Sequence, residues 1–212
     1  MNTWERLWRT AGLQFVGLTI LAYLIYGDPP GINAPPDALS FYHGDRMRVL
    51  IASIFAGLAV LNLMWFAAAL RTTLADAGYD GWGAAATASS AAVGALAFVL
   101  IAIAAALTYS NADFLNNFTW TCGVVSSFPR AMLIMSSAFG LWRAKLISNA
   151  LFTAGVAVVI LGVLGGTTWA SGGFWAPDGA YSRFILPVVS LVWVLVVSRV
   201  LLTRAPATRA GW

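Results

Sequence analysis

One stretch of the chain combines charge, hydroxyls and a proline inside an apolar run: Ser126-Ser127-Phe128-Pro129-Arg130. The run extends from 119 to 141, which is long enough to cross a bilayer and sets Arg130 near mid-depth. A guanidinium at that depth is costly unless something receives its hydrogen bonds. On a helix, Gly123, Ser126, Ser127, Arg130 and Ser137 fall on or near one face. Pro129 has no N–H, so the carbonyl of Val125 loses its helical partner. Helical side chains lean toward the helix N-terminus, so Arg130 can reach Ser126, Thr121 or the freed carbonyl. Asn62, inside the second apolar run, is a cross-helix partner for it. Arg130, Ser126, Ser127 and Asn62 are therefore the candidate ligand-binding residues. Their chemistry suits an anion, a lipid headgroup or a quinone-like carbonyl. The plainer alternative is a kinked helix whose arginine caps free carbonyls and snorkels.

Other chemistry is weakly signalled. Asp28, Asp37, Asp45, Asp113 and Asp178 fall in loops, and none stands at helical spacing from another. His43 is the only histidine and lies beside Asp45, a pairing that could act as a proton switch. A lone histidine at a membrane interface is more often a polar helix start. Cys122 is the only cysteine, which excludes an internal disulfide and a cysteine metal cluster. The Gly-x-Ser-x-Gly pattern is absent, and Gly81-Trp82-Gly83 lacks the strand and third glycine of a nucleotide motif. No catalytic residue, metal site or cofactor is assigned, and enzyme activity is not expected.

The elements that must position Arg130 are apolar helices. Hydrophobic residues make up 60% of the 212 and charged residues 9%, with a mean hydropathy of +0.80. Soluble domains carry about 25% charged residues. Such a chain folds with lipid as its solvent, where helices satisfy their own backbone. The expectation is an all-α polytopic membrane helix bundle: one transmembrane domain with six spans at 7–26, 47–70, 82–109, 119–141, 147–167 and 181–202. An amphipathic lead-in, Trp4 to Arg9, precedes the first span, and residues 27–45 form a loop with prolines at 29, 30, 35 and 36. The third span is rich in Ala and Gly, with small residues four apart at Ser90/Gly94 and Ala91/Ala95. That spacing lets backbones approach in lipid and predicts that this is the most enclosed helix.

The basic residues flank the spans. Arg6, Arg9, Arg71, Arg143, Lys145, Arg199, Arg204 and Arg209 fall on one side, against Arg46, Arg48 and Arg183 on the other. The positive-inside rule then places both termini in the cytoplasm. The net charge of +4 is topology signal, and nucleic acid is not an expected partner.

Three apolar motifs carry a resemblance. They are Arg48-x-x-x-Ala52 with Leu63-x-Trp65-Phe66-x-x-x-Leu70-Arg71, Phe128-Pro129-x-Ala131 with Gly140-Leu141-x-Arg143, and Leu191-Val192-Trp193-Val194-Leu195 before Arg199. In this order the chain resembles a group of six-helix bacterial integral membrane proteins, frequent in actinobacteria, that have no assigned activity. The resemblance implies a fold and a location in the cytoplasmic (inner) membrane, not a reaction. In that group the residue after Phe-Pro is usually apolar, so Arg130 departs from the pattern. Two function classes follow. One is an accessory or lipid- or small-ligand-binding membrane protein or complex subunit. The other is a small carrier or channel for a lipophilic or anionic solute with Arg130 in the path.

Overall fold

The computed structural model describes residues 9–110 and 112–203. Most of the lead-in at 4–9, together with Arg204 and Arg209, lies outside them. Among the described residues the long elements are helices: α1 (Ala11–Tyr26), α2 (Arg46–Asp76), α3 (Asp80–Leu107), α4 (Asp113–Val125), α5 (Ser127–Arg143), α6 (Asn149–Gly165) and α7 (Leu186–Thr203). Between α1 and α2, a 3-10 turn at Pro36–Leu39 runs into a single α-turn at Ser40–His43. A π-helical turn at Tyr181–Ile185 leads into α7. Four stretches are long and apolar enough to cross a membrane: α2, α3, Asp113–Arg143 taken together, and Tyr181–Thr203. Helices α1 and α6 are apolar but shorter, at 16 and 17 residues. Six apolar stretches thus stand where six spans are expected, and four of them have the full length.

The boundaries differ from the expected ones for local reasons. Helix α2 continues past 70 to Asp76, and the chain turns at Gly78 with φ 82°. That conformation favours glycine, which has no Cβ to clash. Residues 111–118 read as a connection, yet helix begins at Asp113. The Asp113 carboxylate in the first turn suits the positive end of the helix dipole. Pro187 offers no N–H to the carbonyl of Arg183, and the ladder before it widens into the π turn.

The helices pack in chain order, and α7 returns against α1. Small residues make the seams. Gly94 of α3 sits where a Cβ would lie 2.7 Å from Met64 and 3.2 Å from Val60 of α2. Ser90 donates to the Leu63 carbonyl at 3.3 Å. Gly162 of α6 faces Ala131 of α5 at a similar separation, 2.9 Å from a Cβ built on the glycine. The dry core occupies the Arg143 end of the bundle, with Leu63, Phe66 and Leu70 of α2, Ile134 and Leu141 of α5, and Val197 of α7. Within it, Trp193 Nε1 donates to Ser137 Oγ at 2.9 Å.

One packing expectation is reversed. Helix α3 is the least enclosed of the four long stretches, with 28% of its apolar window buried against 61% for Asp113–Arg143. Its small residues form a seam on α2, where Gly83, Ser90 and Gly94 let the backbones close. Smallness permits approach on one face but draws no neighbours around the others.

Candidate functional site

The Arg130 site is built by a break in the helix. Helix α4 ends at Val125, Ser126 forms a turn, and α5 begins at Ser127. The cause is Pro129, which cannot donate to the Val125 carbonyl. The ladder is intact on either side, with Ser126 N bonding Cys122 O at 2.9 Å and Arg130 N bonding Ser126 O at 3.2 Å. Arg130 folds back one turn, and its Nη2 donates to Ser126 Oγ at 2.6 Å. Ser126 Oγ in turn donates to the Gly123 carbonyl at 2.6 Å. Ser126 is buried and Arg130 half-buried. The result is a relay of Arg130, Ser126 and Gly123 on one side of the break, as the sequence reading expects of Ser126.

A guanidinium has five N–H donors, and Arg130 uses one of them in a side-chain hydrogen bond among the described residues. No other side-chain hydrogen bond links its guanidinium to the described residues. No described carboxylate faces it. Asp28 pairs with Arg183, Asp45 with Arg48 and Asp80 with Arg71, and Asp178 accepts from Ile32 N. Asp37, Asp76 and Asp113 are exposed at turns and helix ends. Arg130 is therefore a cation with open hydrogen-bonding capacity, about 20 Å of helix from Arg143 and somewhat farther from Asp113.

The other candidate residues are not drawn into this relay. Ser127 is buried, and its Oγ has no hydrogen-bond partner. It turns toward α6, where a Cβ on Gly165 would meet its Oγ at 3.0 Å. Asn62 is not the cross-helix partner of Arg130, because its Nδ2 donates to the Leu58 carbonyl of its own helix at 2.9 Å. Asparagine inside a helix readily bonds backward in this way. His43 and Asp45 also do not pair. The His43 Nδ1 lies 3.3 Å from Thr108 O, while Asp45 caps α2 by accepting from Arg48 N at 3.2 Å.

At the proline-loop end, a polar strap crosses from α4 to the start of α7. Asn116 of α4 is its hub, donating to the Gly31 carbonyl at 2.8 Å and accepting from Tyr42 Oη at 2.9 Å. Burial pushes the Tyr42 phenol up, so it stays a donor. Trp120 Nε1 donates to Pro30 O at 2.9 Å, and Asn33 N donates to Asn117 Oδ1 at 2.8 Å. Arg183 pairs with Asp28, donates to Pro29 O at 3.3 Å, and lies 5.0 Å from the centre of the Trp120 ring. Asp178 accepts from Ile32 N at 3.1 Å, and a side chain at Gly31 would run into its carboxylate. Sequence reasoning places these residues in separate loops. Only the crowding of Asn, Asp and Pro there hints that they meet.

Below the strap, α1, α2, α3 and α4 line an open apolar cavity of about 300 Å³, with Ala22, Tyr26, Ala52, Ala56, Leu100 and Ala104 among its walls. Three hydroxyls in its wall turn back to their own helices. Thr19 donates to Phe15 O, Ser53 to Val49 O and Thr119 to Leu115 O, at 2.7, 2.8 and 3.0 Å. The wall is left apolar. Arg130 does not line this cavity.

Comparison with known proteins gave no match to a family model, to a curated protein or to a solved structure.

Proposed function

We propose that this chain is a six-span protein of a bacterial cytoplasmic membrane that binds a lipophilic ligand carrying an anionic or carbonyl group at Arg130. It acts as a binding or accessory protein, alone or as a subunit of a larger membrane complex, and not as an enzyme. It belongs with the six-helix bacterial membrane proteins that its motifs resemble. One observation carries the reading of the site: Arg130 sits far from both ends of its helical stretch, keeps unused N–H donors and faces no carboxylate among the described residues. Placing a cation at such depth is costly, and a ligand oxygen offsets that cost where no protein acid does. The planar fork suits a carboxylate, phosphate or carbonyl. Ion-coupled carriers usually hold further intramembrane charges, which favours binding over transport.

The membrane assignment rests on the four long apolar stretches. Helices α1 and α6 rise about 24 and 26 Å, a little under the ~30 Å hydrocarbon core. Local thinning of the bilayer absorbs that mismatch. The excess of Lys and Arg flanking the spans on the Arg143 side supports a cytoplasmic location for that side and for both termini. Reporters inserted after Lys145 and within residues 31–38 are expected on opposite sides of the membrane. The same side for both would refute the topology.

The ligand is tested by purifying the protein in mild detergent, extracting it with organic solvent and analysing the extract by mass spectrometry. A lipophilic acid or carbonyl compound is expected near one per chain in the wild type, and absent from Arg130→Leu. Arg130→Lys is expected to retain it poorly, since an ammonium lacks the fork. Equal recovery from wild type and Arg130→Leu would overturn the proposal.

A further inference from the structure

The apolar cavity is a second site, distinct from Arg130, and its surroundings specify an occupant. We propose that it holds one acyl chain of an anionic phospholipid from the surrounding bilayer, with the phosphate headgroup at Arg48.

The cavity accepts hydrocarbon and little else. Its volume of about 300 Å³ lies at the small end of ligand pockets. The Thr19, Ser53 and Thr119 hydroxyls are committed to carbonyls of their own helices, so methyl groups and rings face the space. An open apolar cavity along helices that read as bilayer-spanning is filled most readily by the solvent around them, which is lipid chain.

The headgroup end is set by α2. Arg48, Ala52 and Ala56 stand four residues apart and follow one helix face, so Arg48 lies one turn beyond the cavity toward the proline-loop end. Tyr26 lines the same end. Its ring meets Phe41 edge-on at 5.5 Å, and the Arg48 guanidinium lies over Phe41 at 4.4 Å. Cavity, aromatic pair and cation therefore lie along one side of the bundle.

Arg48 has capacity to spare. Nη2 donates to Phe41 O at 3.2 Å, while Nε is buried without a hydrogen-bond partner. The nearest acid, Asp45, stands 3.8 Å from Nε, too far for a hydrogen bond. Asp45 balances only one of the two neighbouring arginines, Arg46 and Arg48. Arg46 is directed instead to Tyr109, over whose ring it lies at 4.0 Å. The Arg48 side chain keeps 31% of its surface, and its guanidinium has donors beyond the one on Phe41 O, which complement a phosphate oxygen.

The test uses the full chain in detergent, stripped of lipid and then offered phosphatidylglycerol and phosphatidylcholine in equal amounts. Native mass spectrometry reads what is retained. The wild type is expected to keep one phosphatidylglycerol per chain in preference to phosphatidylcholine. Ala56→Phe fills the cavity and is expected to release the lipid without loss of thermal stability. Arg48→Gln is expected to reduce the preference for phosphatidylglycerol by roughly tenfold, the scale of a lost charge-assisted hydrogen bond. Arg130→Leu is expected to leave retention unchanged, which separates this site from the ligand site proposed above. Equal retention of the two lipids by the wild type, wild-type retention by Ala56→Phe, or an intact headgroup preference in Arg48→Gln would each overturn the proposal.

Discussion

Arg183 and Arg130 are both arginines in helical segments, and they are treated in opposite ways. Arg183 lies in the polar strap, where it pairs with Asp28, donates to the Pro29 carbonyl and rests against Trp120. Every one of these partners comes from another segment, so Arg183 ties the fold together. Arg130 bonds only to Ser126, one turn back on its own broken helix. It joins no second element through a side-chain hydrogen bond among the described residues. An arginine that crosslinks segments contributes to stability. One that bonds only within its own helix at depth costs stability, which the proposed ligand would offset. The difference divides the molecule into a strap that crosslinks segments and a helix break whose arginine crosslinks none among the described residues.

Variants in the two regions should therefore diverge. The largest loss of stability is expected at the strap's hub. Asn116→Leu removes the acceptor of Tyr42 Oη and the side-chain donor to the Gly31 carbonyl, at a cost of about 3 kcal/mol. Thermal unfolding in detergent measures it, and a near-neutral result would mean the strap does not hold the bundle. Next comes Gly94→Leu, which drives a side chain into Met64 and Val60 and should cost about 2 kcal/mol by overpacking. Ala106→Leu, on an exposed position of the same helix, serves as its control and should change little. Equal melting temperatures for these two would remove α3 from the α2 seam. Arg183→Leu should cost about 1 kcal/mol, because Asp28 is largely exposed and the ion pair is correspondingly weak. The smallest effect is expected from Arg130→Leu. It should match or exceed wild-type stability, since removing a half-buried cation with no acid partner relieves desolvation. A loss as large as that of Arg183→Leu would erase the contrast between the two arginines.

Much of this architecture is legible in the sequence. Apolar runs locate the helices, Pro129 foretells the break, and the lean of helical side chains sends Arg130 to Ser126. These are local consequences of residue type. The strap is not legible, because Tyr42 and Asn116 are 74 positions apart and Arg183 and Asp28 are 155 apart. No periodicity encodes such pairings. Asn62 misleads for a related reason. It lies within the apolar run as a partner for Arg130 should, but its own Leu58 carbonyl is closer at hand. Helix α3 misleads because a run of alanines signals that a neighbour can approach, not how many neighbours do.

The central claim is that Arg130 presents its unused donors to a ligand within the protein. A density map of the full chain in a lipid nanodisc tests it most directly, by revealing what touches the guanidinium. The account expects Arg130 still bonded to Ser126, with non-protein density within hydrogen-bond distance of its remaining N–H groups and enclosed by the helices. A guanidinium turned to the lipid-facing surface and extended to the headgroups, with no such density inside, would contradict it.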